Sequence, residues 1–260
     1  MTVKTMKVIA IMGSPMGKGQ GYGVVKQIEE TMKKLGDVEF EHVFLKEADL
    51  QLCKGCFVCI SRGEDKCPLK DDRAVIEKKL LDADGIILSS PVYVQNVSWV
   101  MKNFIDRFAY TNHRLRFFGQ KGLLVANGGM GQQETIKSMR NALGGMKIAD
   151  ELAVYTPEWK ITRNAEKKRN ASIERSAKKF YEAMSRKDNK QPSVSDLMRF
   201  LFLKEASGSC KKSLKADYEY FKDREYFYDV KIGPVKKTLA TVMVRVLMST
   251  MRDLGPETNE

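Results

Sequence analysis

Five short apolar or β-branched runs, each followed by a segment with helical periodicity, predict an α/β protein built on a doubly wound parallel sheet. Two further observations support that class. The first run ends abruptly in Gly-Ser-Pro and a glycine-spaced loop, KVIAIMGSPMGKGQGYG over Lys7–Gly23, ahead of a helix-like segment. Strand, tight loop and helix start together make an anion site, because the first backbone N–H groups of a helix are unpaired and carry the positive end of its dipole. Hydrophobic residues make up 43% of the 260, enough for a core in one large domain or in an ordinary domain with an appendage.

The strand candidates are Lys7–Met12, Val38–Leu45, Gly85–Ser90, Gly122–Ala126 and Ile148–Tyr155. They are mostly apolar or β-branched, as buried parallel strands are. The helix candidates are Tyr22–Leu35, Asp71–Leu81, Ser98–Arg116, Gln132–Gly144 and Ala165–Ser185. In the last of these, Ile173, Ala177, Phe180, Tyr181 and Met184 recur at helical spacing. Successive right-handed β-α units imply strand order 2-1-3-4-5, the flavodoxin-like one. A ligand then sits outside the carboxyl ends of the strands, where the loops after strands one, three and four converge.

After Ser185 the character changes. Arg186–Ser193 (RKDNKQPS) reads as a linker, dividing a flavodoxin-like domain, 1–187, from a helical C-terminal extension, 188–260. Ser193 or Ser195 is the expected N-cap of the next helix. An aromatic-rich stretch leads to a last helix starting near Pro234, with Val235, Leu239, Val242, Met243, Val246 and Leu247 along one face. Such a stripe is expected to dock on its own domain or on a second subunit; a basic amphipathic helix on a membrane surface is the less favoured reading.

The formal net charge is +12, and from Asn164 onward 21 Lys+Arg stand against 14 Asp+Glu. No nucleic-acid motif accompanies the charge, so a solvated basic surface is expected, or a docking face for an acidic redox partner such as ferredoxin. No segment reads as a signal peptide or reaches the ~20 apolar residues of a membrane span, which predicts a soluble cytoplasmic protein.

The first loop fails both common phosphate patterns. Gly13 is not followed by the Walker spacing, and Gly17, Gly19 and Gly21 miss the dinucleotide spacing. What remains is a longer loop with Ser14, Gln20 and Gly21 ahead of the helix, which suits one terminal phosphate, as in a flavin mononucleotide. In the second loop Pro91 and Val92 offer a rigid, dry backbone edge and Tyr93 a flat face for a planar heterocycle. In the third, Gly128 and Gly129 after Asn127 let backbone approach a ligand closely. The competing readings are a proline turn with an aromatic core residue for the second loop and a sharp turn for the third. Ser-His-Asp and paired-carboxylate arrangements are not evident, so no catalytic side chain is assigned.

Four of the five cysteines, Cys53, Cys56, Cys59 and Cys67, fall within fifteen residues in the spacing Cys-x2-Cys-x2-Cys-x7-Cys-Pro. Three cysteines two residues apart can wrap three corners of a cubane, and the x7 spacer lets a fourth reach the same cluster. A Zn(Cys)4 site and free surface thiols are the competing readings. Cys210 stands alone, and His42 and His113 are too distant in sequence to be assigned as ligands.

The GSP loop, the segment SSPVYVQNVSWVMKNFIDR over Ser89–Arg107 and the cysteine run ending CPLKDD together resemble the NAD(P)H-dependent FMN reductase and iron-sulfur flavoprotein families, over roughly residues 1–185. The resemblance implies FMN, with Ser14, Gln20, Gly21 and Tyr22 at its phosphate. Pro91, Val92, Tyr93 and Val94 would line the isoalloxazine ring, and Asn127, Gly128 and Gly129 its other edge. Met16 also belongs to this loop, at the position where the family often has arginine, so a charge-assisted phosphate contact is missing. For the cysteines the resemblance implies a [4Fe-4S] cluster near FMN. The expected function is transfer of electrons from NAD(P)H or reduced ferredoxin through FMN to an acceptor, in a homo-oligomer. A cluster-free quinone, flavin or nitro reductase and a non-enzymatic electron carrier are the alternatives.

Overall fold

The apolar run after Thr5 forms β1 (Met6–Met12), from which Val8 to Met12 are all buried. The computed structural model describes residues 5–186 and 191–251. In chain order there follow α1 (Gln20–Leu35), β2 (Val38–Phe44), the single turn α2 (Val58–Ser61), α3 (Arg73–Asp82), β3 (Gly85–Pro91), α4 (Trp99–Arg107), β4 (Lys121–Gly128), α5 (Gln132–Met139), β5 (Lys147–Tyr155) and α6 (Arg163–Ser185). Short 3-10 turns occupy Glu64–Lys66 and Ala109–Asn112. The C-terminal helices are α7 (Val194–Ser209), α8 (Lys215–Phe221) and α9 (Pro234–Thr250). Residues 187–190 of the expected linker lie outside the described residues, and so does the expected boundary at 187/188.

Two units are distinguished by their internal contacts. The first comprises Met1–Gly55, Leu69–Asn112 and Phe117–Lys187; the second comprises Cys56–Pro68, His113–Arg116 and Asp188–Glu260.

In the first unit the five strands pair in parallel in the order β2-β1-β3-β4-β5, the expected flavodoxin-like topology. Strand periodicity sorts the side chains. Val8, Ala10 and Met12 join Val24, Val25, Ile28 and Met32 of α1 and Ile173, Ala177 and Phe180 of α6 in one core cluster. The alternate residues Ile9, Ile11, Ile86 and Leu88 are equally buried, as are Met101 and Phe104 of α4 and Ile136 and Met139 of α5. Each such side chain contributes about 1.5–3 kcal/mol by leaving water. A sheet covered on both faces leaves its loop-bearing carboxyl edge as the open surface near the switch point between β1 and β3.

Two helices stop earlier than their periodicity predicts. The segment expected to be helical over Ser98–Arg116 ends at Arg107, and the one over Gln132–Gly144 ends at Met139. The cause is pairing between the two tails. The Thr111 hydroxyl accepts the Gly144 N–H at 3.0 Å and donates to the Phe108 carbonyl at 2.8 Å, while the Phe117 N–H donates to the Gly144 carbonyl at 3.1 Å. A Cβ on Gly144 would run into the Thr111 carbonyl, so only glycine permits this approach.

In the second unit, Ser193 is the N-cap of α7 in a reciprocal capping box. Its hydroxyl accepts the Asp196 N–H at 3.2 Å, and the Asp196 carboxylate accepts the Ser193 N–H at 2.9 Å. Phe200 packs edge-on against Phe221 and Phe227, with centroids 5.4 and 5.1 Å away. On α9, Ala240 and Val244 are buried, whereas Val235, Leu239, Val242 and Val246 are exposed. Among the described residues no helix is long and apolar enough to cross a membrane.

Gly144→Ala is expected to destabilise the protein by about 1–3 kcal/mol, lowering Tm by roughly 3–10 °C, through overpacking against backbone that cannot move aside. Thermal unfolding followed by circular dichroism measures it; an unchanged Tm would show that the two tails do not depend on this contact.

Candidate functional site

The loops after β1, β3 and β4 all belong to the first unit, and they are tied to one another. The Gly13 N–H donates to the Ser89 carbonyl at 2.7 Å, and the Ser98 hydroxyl donates to the Gly13 carbonyl. Ser98 is fully buried and caps α4, accepting the Met101 N–H at 3.2 Å. Ser90 completes the join: its hydroxyl accepts the Ser98 N–H at 3.1 Å and donates to the Pro91 carbonyl at 2.9 Å. The Val92 N–H donates to the Asn127 carbonyl at 2.9 Å, linking the second loop to the third.

Within the first loop the Ser14 hydroxyl accepts the Met16 N–H at 3.2 Å, and the Gly17 N–H returns to the Ser14 carbonyl at 3.1 Å. Helix α1 then begins at Gly19, with no side-chain cap and no acidic residue in its first turn. The first-turn N–H groups of Gln20, Gly21 and Tyr22 therefore present the positive end of the helix. Two predicted side chains are occupied elsewhere. The Gln20 carboxamide donates to the Pro157 carbonyl at 3.2 Å, and the Tyr22 ring packs on His42 and Phe44, with centroids 5.4 and 5.6 Å away.

Asn127 connects the first and third loops. Its Nδ2 reaches the Thr156 hydroxyl at 3.4 Å, while its Oδ1 is buried with no hydrogen-bond partner among the described residues. That oxygen stands against Gly21, where an added Cβ would meet it at 2.6 Å. At Gly21 any side chain would have to displace the Asn127 carboxamide. The Gly128 carbonyl accepts the Thr156 N–H at 3.0 Å and the Gln132 Nε2 at 2.8 Å. At the rim, Tyr93 and Asn96 exchange backbone hydrogen bonds of 2.9 and 3.0 Å around a two-residue turn. Both turn residues are left-handed, Val94 at φ 48° and Gln95 at φ 58°. Left-handed backbone is strained for a β-branched residue, and Val94 is 99% exposed.

Two features escape sequence reasoning. Lys18, one residue ahead of the α1 cap, places its Nζ 5.8 Å from the centroid of Tyr22 and 5.9 Å from that of Phe44. It supplies a cation in a loop where Met16 supplies none. A cavity of about 360 Å³ also opens beside α1, with Gln20, Val24, Thr156, Trp159, Lys160 and Arg169 in its wall. Neither Lys18 nor the cavity-lining residues belong to a recognisable spacing.

The cysteines divide between the units. Cys53 lies in the first, where its N–H donates to Asn103 Oδ1 at 2.9 Å. Asn103 Nδ2 also holds the Leu50 and Gln51 carbonyls at 3.1 and 3.2 Å, and Arg107 donates to Gln51 at 2.7 Å. Arg107 and Asp71 form a buried two-pronged pair, and the Asp71 carboxylate accepts the Gln51 N–H at 2.9 Å. Burial pushes the Asp71 carboxyl up, but Arg107 and the N–H groups of Arg73 and Gln51 outweigh burial and hold it below the usual carboxylate range. Cys56, Cys59 and Cys67 lie in the second unit, Cys56 exposed and the other two half-buried. Among the described residues none of the five cysteines is in a disulfide. Among the described residues no three His, Cys, Asp or Glu side chains stand close enough together to hold a metal ion.

The first-unit site fits a flavin mononucleotide on three counts. The start of α1 is uncapped, Gly21 keeps the loop open against Asn127, and Asn127 Oδ1 is an unused acceptor. The cysteine run fits an iron-sulfur cluster by the chemistry of its four thiols, and its side chains are not gathered around a common point.

Residues 6–160, more than half of the chain, match the family model described as NADPH-dependent FMN reductase. The chain belongs to the NADPH-dependent FMN reductase and iron-sulfur flavoprotein family. It is accordingly a flavin oxidoreductase. An iron-sulfur flavoprotein of Archaeoglobus fulgidus is 28% identical over 228 residues, covering 85% of this chain and all of that protein. Another, of Methanocaldococcus jannaschii, is 37% identical over 139 residues, covering 52% of this chain and 70% of that protein. Among solved structures, an NAD(P)H:quinone oxidoreductase of Methanothermobacter marburgensis superposes with TM-score 0.53 at 16% identity, covering 71% of this chain and all of its own. RosB, solved with a bound 8-demethyl-8-formylriboflavin-5'-phosphate intermediate, gives TM-score 0.53 at 12% identity over 88% of this chain and 92% of its own. At such identities the two structures establish the fold.

The Asp71 pair sets a pH dependence. A carboxyl whose folded pKa is depressed contributes stability that is fully present above its unfolded value, about 3.9, and lost as pH falls through the folded value. Between about pH 4 and pH 2 the wild type is therefore expected to lose stability more steeply than Asp71→Asn. Equal slopes for the two proteins in denaturant titrations across that range would contradict it.

Proposed function

We propose that this flavoenzyme holds FMN across the three loops, with the phosphate at the start of α1 and the ring between Pro91–Val94 and Asn127–Gly129. The observation that carries this reading is the uncapped, acid-free first turn of α1 facing the unpartnered Asn127 Oδ1 across Gly21. When bound, FMN accepts a hydride from NAD(P)H and releases electrons singly or in pairs.

The chain's own groups then have defined tasks. The first-turn N–H groups and the Ser14 hydroxyl receive the phosphate oxygens, and Lys18 neutralises part of their charge. Pro91, Val92 and the exposed ring of Tyr93 give the heterocycle a flat, water-poor edge. Asn127 offers a hydrogen-bond acceptor, and the glycines after it leave room for the ligand. Buried Ser98 and Ser90 keep the first two loops in register, so that phosphate and ring sites stay a fixed distance apart.

For the cysteines the reading is a [4Fe-4S] cluster ligated by Cys53, Cys56, Cys59 and Cys67, passing electrons onward to an acceptor. Its support is the Cys-x2-Cys-x2-Cys-x7-Cys-Pro spacing and relatives named iron-sulfur flavoproteins. NAD(P)H or a reduced ferredoxin is the proposed donor.

Anaerobically purified protein is expected to carry about one FMN with about four iron and four sulfide per chain, read from its visible spectrum and elemental analysis. Flavin without iron removes the cluster and leaves a cluster-free reductase. Colourless protein that FMN does not reconstitute overturns the flavin site. Lys18→Ala is expected to weaken FMN binding by about 1–2 kcal/mol, roughly five- to thirty-fold in Kd, and Met16→Arg to tighten it by a similar factor. Fluorescence titration of FMN measures both, and a Kd unchanged in both variants would exclude charge at this loop from phosphate binding.

A further inference from the structure

The second unit brings the C-terminal segment together with Cys56–Pro68 and His113–Arg116, and the groups that join them are buried charges. Arg114 is 4% exposed. Its guanidinium donates to the Cys59 carbonyl at 2.5 Å and the Ile60 carbonyl at 3.2 Å, both in the cysteine run. It pairs with Glu64, in the same run, at 2.9 Å, and with Asp217 of α8. Asp217 is 1% exposed, and its other carboxylate oxygen takes His113 Nδ1 at 2.7 Å. Glu64 takes Arg116 on its second oxygen at 2.7 Å. Burial pushes the Glu64 carboxyl up, yet the Arg116 and Arg114 guanidiniums hold it below the usual carboxylate range.

A guanidinium this buried is tolerated only when its charge is balanced and its donors are used. Glu64 and Asp217 balance it; the Cys59 and Ile60 carbonyls use two more of its donors. The shape of the run between Cys59 and Cys67 thus depends on a guanidinium that one of its two anions, from α8, keeps in place. Cys67 continues the same arc, since its N–H donates to the Glu64 carbonyl at 3.3 Å. Without Asp217, Arg114 keeps one counter-charge from a residue that must also serve Arg116. Rehydrating it means withdrawing it from the two carbonyls.

We propose that the C-terminal segment is a working part of the cysteine run, with Asp217 acting through Arg114 as a positioning residue for the Cys59 and Cys67 thiols. This rests on the reading of the run as a redox centre, and it gives the C-terminal segment a role in that centre.

The test uses full-length protein purified anaerobically, with any bound iron removed by chelation, and follows alkylation of each thiol by iodoacetamide with mass spectrometry. Asp217→Asn keeps the shape and removes the charge. It is expected to speed alkylation at Cys59 and Cys67 by about ten-fold through local opening, with Cys53, in the other unit, changed less than about two-fold. Asp217→Glu is expected to restore rates toward wild type. Where wild-type protein holds iron, Asp217→Asn is expected to retain less than about half of it at equal FMN content. If Asp217→Asn does not fold, Glu64→Gln, whose side chain is 24% exposed, is the milder variant and is expected to move the same two thiols. Rates at Cys59 and Cys67 within about two-fold of wild type, in a folded Asp217→Asn or Glu64→Gln protein, overturn the proposal. Wild-type protein without iron removes the cluster reading, and the alkylation contrast still decides the role of Asp217.

Discussion

The site depends on a small set of hydrogen bonds at the carboxyl edge of the sheet, those joining Gly13 to Ser89 and Ser98 and Val92 to Asn127. Parallel strands end at this edge with backbone groups that no further strand can use. Here they are used by the neighbouring loop, so each loop braces the next. The consequence is a ligand surface made of backbone and small side chains whose spacing is set by the sheet itself. A rigid surface of this kind suits a cofactor that brings its own chemistry, because the protein then has to position and shield it without contributing a reacting group.

The same economy explains what is left unsatisfied. In a well-packed protein a buried acceptor without a partner is uncommon, and Asn127 Oδ1 is one, standing at the start of a helix that lacks a cap. A left-handed valine stands exposed at the rim of the same loops. Each of these costs stability in the protein alone. All three belong to the loops at the carboxyl edge of the sheet, and the first two stand side by side across Gly21.

Charge is handled differently in the two units. In the first, Asn103, Arg107 and Asp71 hold the backbone from Leu50 to Cys53 by five hydrogen bonds, and Arg107 and Asp71 pair with each other. In the second, Arg114 does the corresponding work for Cys59 and Ile60, with one counter-ion drawn from the C-terminal segment. Both arginines bind carbonyl oxygens and carboxylates at once, using the five donors that the planar guanidinium holds in a fixed fork.

Strand order, the family and the loops were legible in the residues because they rest on local signals: apolar runs of strand length, helical spacing between them, and Gly-Ser-Pro and Ser-Pro-Val-Tyr at strand ends. The N-cap at Ser193 was legible for the same reason. The early ends of α4 and α5 were not, since they arise from the Thr111–Gly144 contact between segments 33 residues apart, against a helical periodicity that runs on. The engagement of the Gln20 and Tyr22 side chains elsewhere in the fold, the cation at Lys18 and the Asn127–Gly21 approach are likewise invisible in spacing, because side-chain direction is chosen by packing. Sequence alone therefore determined which elements form and which loops meet. Only the tertiary structure decided which atoms of those loops are spent on the fold and which are left for a ligand, because that depends on contacts between residues far apart in the chain.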